Sequence, residues 1–140
     1  MIRNLNSKDI DTVMDIWIKS TVKAHHFISK EYWQDNYNTV RDVYIPMSET
    51  FVYEDEEGIK GFISIINNEF IGALFVDVDF QDNGIGKSLI NYVKDKYKKL
   101  TLAVYKENKS AVGFYTNVGF KIVDEQINDD SGYAEYIMQS

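Results

Sequence analysis

The sequence predicts a single domain of the α/β (α+β) class over residues 1–140, a mixed sheet with helices on both faces. Three observations predict it. A chain of 140 residues with 44% hydrophobic and 14% aromatic content has the size of one domain and enough apolar area to offset the entropy of ordering. The hydrophobic period switches between 3.6 and 2 along the chain, so helices and strands alternate. Two segments, Ala73–Val76 and Leu100–Tyr105, are apolar on both faces, as strands covered on both sides are.

The elements follow in order. Met1–Leu5 reads as a short strand, with Ser7 placed to cap a helix whose stripe is Ile10, Val13, Met14, Trp17, Ile18 and Thr21. A second helix is expected from Ser29 to Val40, with Glu31 and Asp35 toward solvent and Tyr32, Trp33 and Tyr37 toward packing. From Phe51 the period is two: a hairpin of 51–54 and 59–66 around Asp55–Gly58, then a strand over 70–79 after a turn at Asn67-Asn68. Ile85, Leu89, Ile90, Val93 and Tyr97 mark a third helix, and a fourth is expected from Asn108 to Val118, ending at Gly119 in a positive-φ position. Strands 100–105, 120–123 and 133–138 complete the order β-α-α-β-β-β-α-β-α-β-β.

Composition narrows the function. A net charge of −7 argues against nucleic-acid binding through phosphate neutralisation and favours cationic partners. With no cysteine, a disulfide scaffold and a thiolate metal site are excluded, and no metal is expected. No apolar run approaches a membrane span and no leader segment is present, so no membrane partner and a cytoplasmic location are expected.

The most informative stretch is Phe75 to Ser88, a strand, a glycine-containing turn and the first turn of a helix. A first helical turn leaves backbone N–H groups unpaired at the positive end of the helix dipole, and Gly84 and Gly86 let a phosphate approach the backbone. The same glycines also suit a plain strand-to-helix turn. The spacing is neither that of a P-loop nor, with Leu89 where a third glycine belongs, that of a dinucleotide fold.

Gln81-Asp82-Asn83-Gly84-Ile85-Gly86 resembles the Gln/Arg-x-x-Gly-x-Gly/Ala signature of the GNAT superfamily of acetyl-CoA-dependent N-acetyltransferases. Asn108 to Tyr115, followed by Gly119-Phe120, is similar to that family's second signature, Asn-x-x-Ala-x-x-Phe-Tyr before a Gly-Phe strand start. His25-His26-Phe27-Ile28 with Tyr32-Trp33 looks like the small bacterial branch of YjaB-type and YiaC-type proteins. The resemblance implies a mostly antiparallel sheet with a V-shaped splay between central strands. It implies acetyl-CoA (coenzyme A) as co-substrate, with Leu74 and Val76 offering main-chain bonds to pantetheine. Gln81, Asp82, Asn83, Gly84, Ile85, Gly86, Lys87 and Ser88 would wrap the pyrophosphate, and Asn108 would bond the cofactor or cap its helix. Asp82 departs from the family pattern, since a carboxylate beside a pyrophosphate is unfavourable unless it points to solvent.

The resemblance also places Tyr115 within reach of the thioester sulfur, where a phenol protonates the departing thiolate. The attacking amine needs a base or a water chain. His25 and His26 titrate in the useful range and sit in the loop that shapes the acceptor pocket; at most one of the two faces it, and Tyr136 is another acceptor-side candidate. The expected acceptor is a primary amine: a protein lysine, a polyamine or a small amine. The alternative is a non-catalytic acyl-CoA-binding sensor or scaffold with the same fold. Apolar and aromatic residues outside the helical stripes are compatible with a homodimer.

Overall fold

The computed structural model describes residues 1–140 as one seven-stranded sheet flanked by four helices. In chain order these are β1 (Ile2–Asn4), α1 (Ile10–Ala24), α2 (Lys30–Thr39), β2 (Glu49–Asp55), β3 (Gly58–Ile66), β4 (Phe70–Val76), α3 (Ile85–Lys96), β5 (Thr101–Tyr105), α4 (Lys109–Asn117), β6 (Lys121–Ile127) and β7 (Ala134–Gln139). The strands lie in the order β1-β2-β3-β4-β5-β7-β6, and β4–β5 alone is parallel. Strand alternation divides the core. Val52, Phe62 and Tyr105 point to the side covered by Val13, Met14, Ile16 and Trp17 of α1 and Trp33 of α2. Their neighbours Phe51, Ile63 and Val104 point to the other side, against Leu89, Ile90 and Val93 of α3 and Tyr115 of α4. β4, apolar on both faces in the sequence, is the middle strand of the sheet.

Four local departures from the sequence reading have physical causes. The chain enters α1 through a 3₁₀ turn at Ser7–Asp9 instead of a Ser7 cap, because the Asp9 carboxylate accepts both the Asn6 N–H at 2.8 Å and Arg3 Nη1 at 2.8 Å. α2 does start at a Ser29 cap, which accepts from the Tyr32 N–H, but it runs on past Val40 through a widened π turn at Val40–Tyr44 and a last turn at Ile45–Met47. The extra residue in that turn re-phases the helix so that Ile45 returns to the buried face while Val43 and Tyr44 stay exposed. β4 stops at Val76 and not at Asp79, since the Asp77 side chain accepts from the Asp79 N–H at 3.0 Å and folds the chain into a turn. β6 runs to Ile127 and is exposed throughout; as a sheet edge with solvent on both faces it carries no burial alternation to read.

The turns behave as their residues dictate. Asn67 and Asn68 take φ of 55° and 61° between β3 and β4, and Gly119 takes φ of 101° after α4.

Candidate active site

The centre of the sheet is parted. β4 and β5 share two register pairs, Phe70↔Thr101 and Ile71↔Leu102, and beyond them the ladder ends. The cause lies in β4 itself: in its pairing with β3, Ser64 faces Ala73 and Ile65 faces Ile71, so Gly72 is an inserted bulge residue. A bulge bends its strand and sharpens its twist, and this one follows directly on the last residue paired with β5.

The orientation of the exposed backbone follows from the register. The Asp77 N–H donates to the Lys60 carbonyl at 2.7 Å, in phase with the pairs Phe75↔Phe62 and Ala73↔Ser64. In an antiparallel ladder the bonding direction alternates, so the main-chain groups of Leu74 and Val76 face away from β3, into the opening. The Val76 carbonyl is taken there by Ser20 Oγ at 3.0 Å and Gln81 Nε2 at 3.1 Å. Its N–H and both main-chain groups of Leu74 have no strand opposite them.

Residues 81–88 carry β4 into α3. Asp82 and Gly84 take φ of 66° and 79°, and Asn83 Nδ2 donates to the Phe80 carbonyl at 3.2 Å. The first bond of α3 runs from Ser88 N–H to the Gly84 carbonyl, so the amides of Ile85, Gly86 and Lys87 donate to no group of the protein. Ile85 is buried and anchors the turn, while Asp82, Asn83, Gly84, Lys87 and Ser88 lie at the surface. An anion held at a helix start needs these features: free amides converging at the positive end of a helix, with glycine allowing close approach.

α4 begins at the far side of the opening. Asn108 Oδ1 accepts from the Ala111 N–H at 3.2 Å as a helix cap, which directs its Nδ2 toward His25 Nε2 at 3.3 Å. Nε2 therefore acts as acceptor, the proton resides on Nδ1, and Nδ1 lies 3.1 Å from Thr21 Oγ1. His25 is buried among Phe27, Trp33 and Tyr105, and that burial pushes its pKa down to about 4. It is neutral and fixed. Tyr115 packs between Phe114 and Phe120; burial pushes its hydroxyl well above the ordinary phenol range, and no protein group bonds to that hydroxyl.

A cavity of about 580 Å³ passes through the parting. Phe70–Phe75 of β4 and Leu102–Tyr105 of β5 form its walls, Asn108 and Tyr115 line one side, and Thr21, His25 and Trp33 line the other. Its charged lining residues are Asp130 and Glu135, with no lysine or arginine. Thus Leu74, Asn108, Tyr115 and His25 meet at one cavity. His26 is exposed with its ring against Phe27, and Tyr136 belongs to the opposite face of β7, beneath the Lys106 ammonium; neither lines the cavity. Residues 81–88 and Val76 lie outside its lining, at the end of β4.

Glu135 was missed by the sequence reading, which took its neighbour Tyr136. The alternation of β7 offered the signal, since Glu135 shares a face with Tyr133, whose hydroxyl donates to the Phe27 carbonyl on the α1–α2 side.

A sequence model described as the acetyltransferase (GNAT) domain matches residues 18–134. The peptidyl-lysine N-acetyltransferase YiaC of Escherichia coli (strain K12) is 36% identical over 99% of this chain and 94% of the relative. The solution structure of apo YjaB from Escherichia coli superposes with a TM-score of 0.87 at 29% identity, covering 99% of this chain and 95% of that one. An aminoglycoside 6'-N-acetyltransferase solved with coenzyme A shares the fold, with a TM-score of 0.73 at 18% identity over 100% and 96% of the two chains. A parted sheet, a helix start with free amides and a matched domain over most of the sequence agree, and the chain belongs to the GNAT family of N-acetyltransferases.

Proposed function

We propose that this transferase moves the acetyl group of acetyl-CoA to a primary amine, with a protein lysine as the acceptor its relatives best support. The observation that carries the reading is the parting of β4 from β5 with unclaimed backbone groups on one wall and the unpartnered Tyr115 hydroxyl opening onto the same cavity. The residues fit the co-substrate. Main-chain groups of Leu74 and the N–H of Val76 lack a strand partner, and the amides of pantetheine would take that place. The free amides of Ile85, Gly86 and Lys87 would hold the pyrophosphate, with Gln81, Asp82, Asn83, Gly84 and Ser88 shaping the loop around it.

Acetyl-CoA supplies an acyl group activated as a thioester. The chain supplies everything else. An unprotonated amine nitrogen bonds to the carbonyl carbon as the carbon–sulfur bond breaks; the sulfur keeps that electron pair and takes the Tyr115 proton, while the nitrogen gives up one proton to solvent that returns to the phenolate. Burial raises the Tyr115 pKa, so the phenol carries its proton in the free protein and has one to give to the sulfur. Asn108 caps α4 and holds His25, so its contribution is the shape of the cavity.

The test is release of CoA thiol from acetyl-CoA in the presence of lysine peptides, with the acetylated peptide identified by mass. The absence of CoA release across peptides, polyamines and small amines, with calorimetric binding of acetyl-CoA intact, would replace this reading with that of an acyl-CoA sensor.

A further inference from the structure

We infer that the acceptor docks as an alkylammonium ion paired with Glu135 and releases one proton to solvent before the nitrogen attacks, an inference that rests on the amine-acetylation reading above. Glu135 is 6% exposed and lines the cavity. One carboxylate oxygen, Oε1, accepts from Gln126 Nε2 at 2.7 Å, which is the bond of a cross-strand pair in register. The other oxygen has no protein partner and is not sealed from solvent, so it opens toward the cavity. No lysine or arginine forms an ion pair with it.

A buried carboxylate held by one neutral amide is poorly compensated, because the amide satisfies a lone pair and leaves the charge. A cation entering the cavity corrects this. The rest of the lining favours the same ligand: the aromatic residues Trp17, Tyr32, Trp33 and Tyr105 border the cavity, and Asp130, bonded to the Tyr32 hydroxyl at 2.6 Å, adds a second negative charge. His25, held neutral, adds no opposing positive charge. The arrangement selects an amine protonated in solution and distant from any carboxylate, such as a lysine side chain within a polypeptide. It disfavours a neutral arylamine and a free amino acid, whose own carboxylate is repelled.

The experiment compares the wild-type protein with E135Q and E135D, using acetyl-CoA and a short lysine peptide blocked at both ends. E135Q keeps the cross-strand bond to Gln126 and removes only the charge. The expected result is a KM for peptide raised at least tenfold in E135Q and largely restored in E135D, with KM for acetyl-CoA nearly unchanged and the E135Q melting temperature equal to or above that of the wild type. A peptide KM unaffected by E135Q, or an equal loss toward acetyl-CoA and peptide, would overturn the assignment. If the wild-type protein shows no turnover, the acetylation reading fails by itself, and the subsite is read from calorimetric titration of the peptide into CoA-saturated protein. Binding that E135Q abolishes supports the subsite; binding equal in both proteins, or none in the wild type, removes it.

Discussion

Tyr115 ends in a hydroxyl for which the fold provides no partner, although its ring is packed on both sides. A phenol kept only for packing would lose nothing on conversion to phenylalanine. As the proton donor to sulfur it should lose much: Tyr115→Phe is expected to lower kcat by about 10²- to 10⁴-fold with acetyl-CoA binding within twofold, measured by steady-state kinetics and calorimetry. Asp82 poses the opposite problem, an L-residue at φ 66° bearing a negative charge in the loop assigned to pyrophosphate. Asp82→Gly relieves a backbone penalty on the order of 1 kcal/mol and removes a repulsive charge, so acetyl-CoA should bind more tightly, as a titration of both proteins would show. The places of these two residues in the fold were legible because each sits in a motif with a fixed spacing. Glu135 was not, since a single carboxylate in a short strand sits in no motif, and the alternation it shares with Tyr133 marks a face without saying that β5 covers it.

At the scale of elements, the hydrogen bond between Asn108 and His25 ties the α1–α2 loop to the start of α4 across the sheet, over 83 residues of chain. Protonated His25 would present a donor to the Asn108 amide in place of an acceptor, within an aromatic surround that cannot solvate the charge. The unfolded imidazole titrates near 6.5 and the folded one at about 4, so between these values the unfolded chain binds more protons. His25 thus contributes stability that is complete above pH 6.5 and is lost as pH falls toward 4. Denaturant midpoints measured across that window should drop for the wild-type protein and drop less steeply for His25→Gln. Element types were readable because amphipathic periods are local, while boundaries failed where one side chain rewrote the backbone: Asp9 at the start of α1, Asp77 at the end of β4 and the widened turn before Ile45. The bulge at Gly72 was equally invisible, because glycine alone does not say whether a strand bends.

Across the whole molecule, one sheet with both faces covered is stable only if each layer of the core is intact. Leu89, wholly buried against the α3–α4 side of the sheet, should cost about 3 kcal/mol when cut to alanine, read from denaturant unfolding. Saturating acetyl-CoA works the other way: at 100 times its dissociation constant it should add about 2.7 kcal/mol and raise the melting temperature by several degrees. The order of elements was already in the hydrophobic pattern, the family resemblance supplied the mostly antiparallel sheet and its splay, and the strand order came only from the structure.

Two register pairs are all that stitch the β1–β4 half of the sheet to the β5–β7 half. Deuterium therefore has access to the middle of the molecule, where a continuous sheet would be slowest to exchange. In the free protein, alternate amides of one strand should separate into two populations: Ala73 and Phe75, bonded to β3, slow, and Leu74 and Val76 fast. A pantetheine arm lying in the seam would merge them, making the co-substrate in effect the eighth strand and its departure a local unzipping.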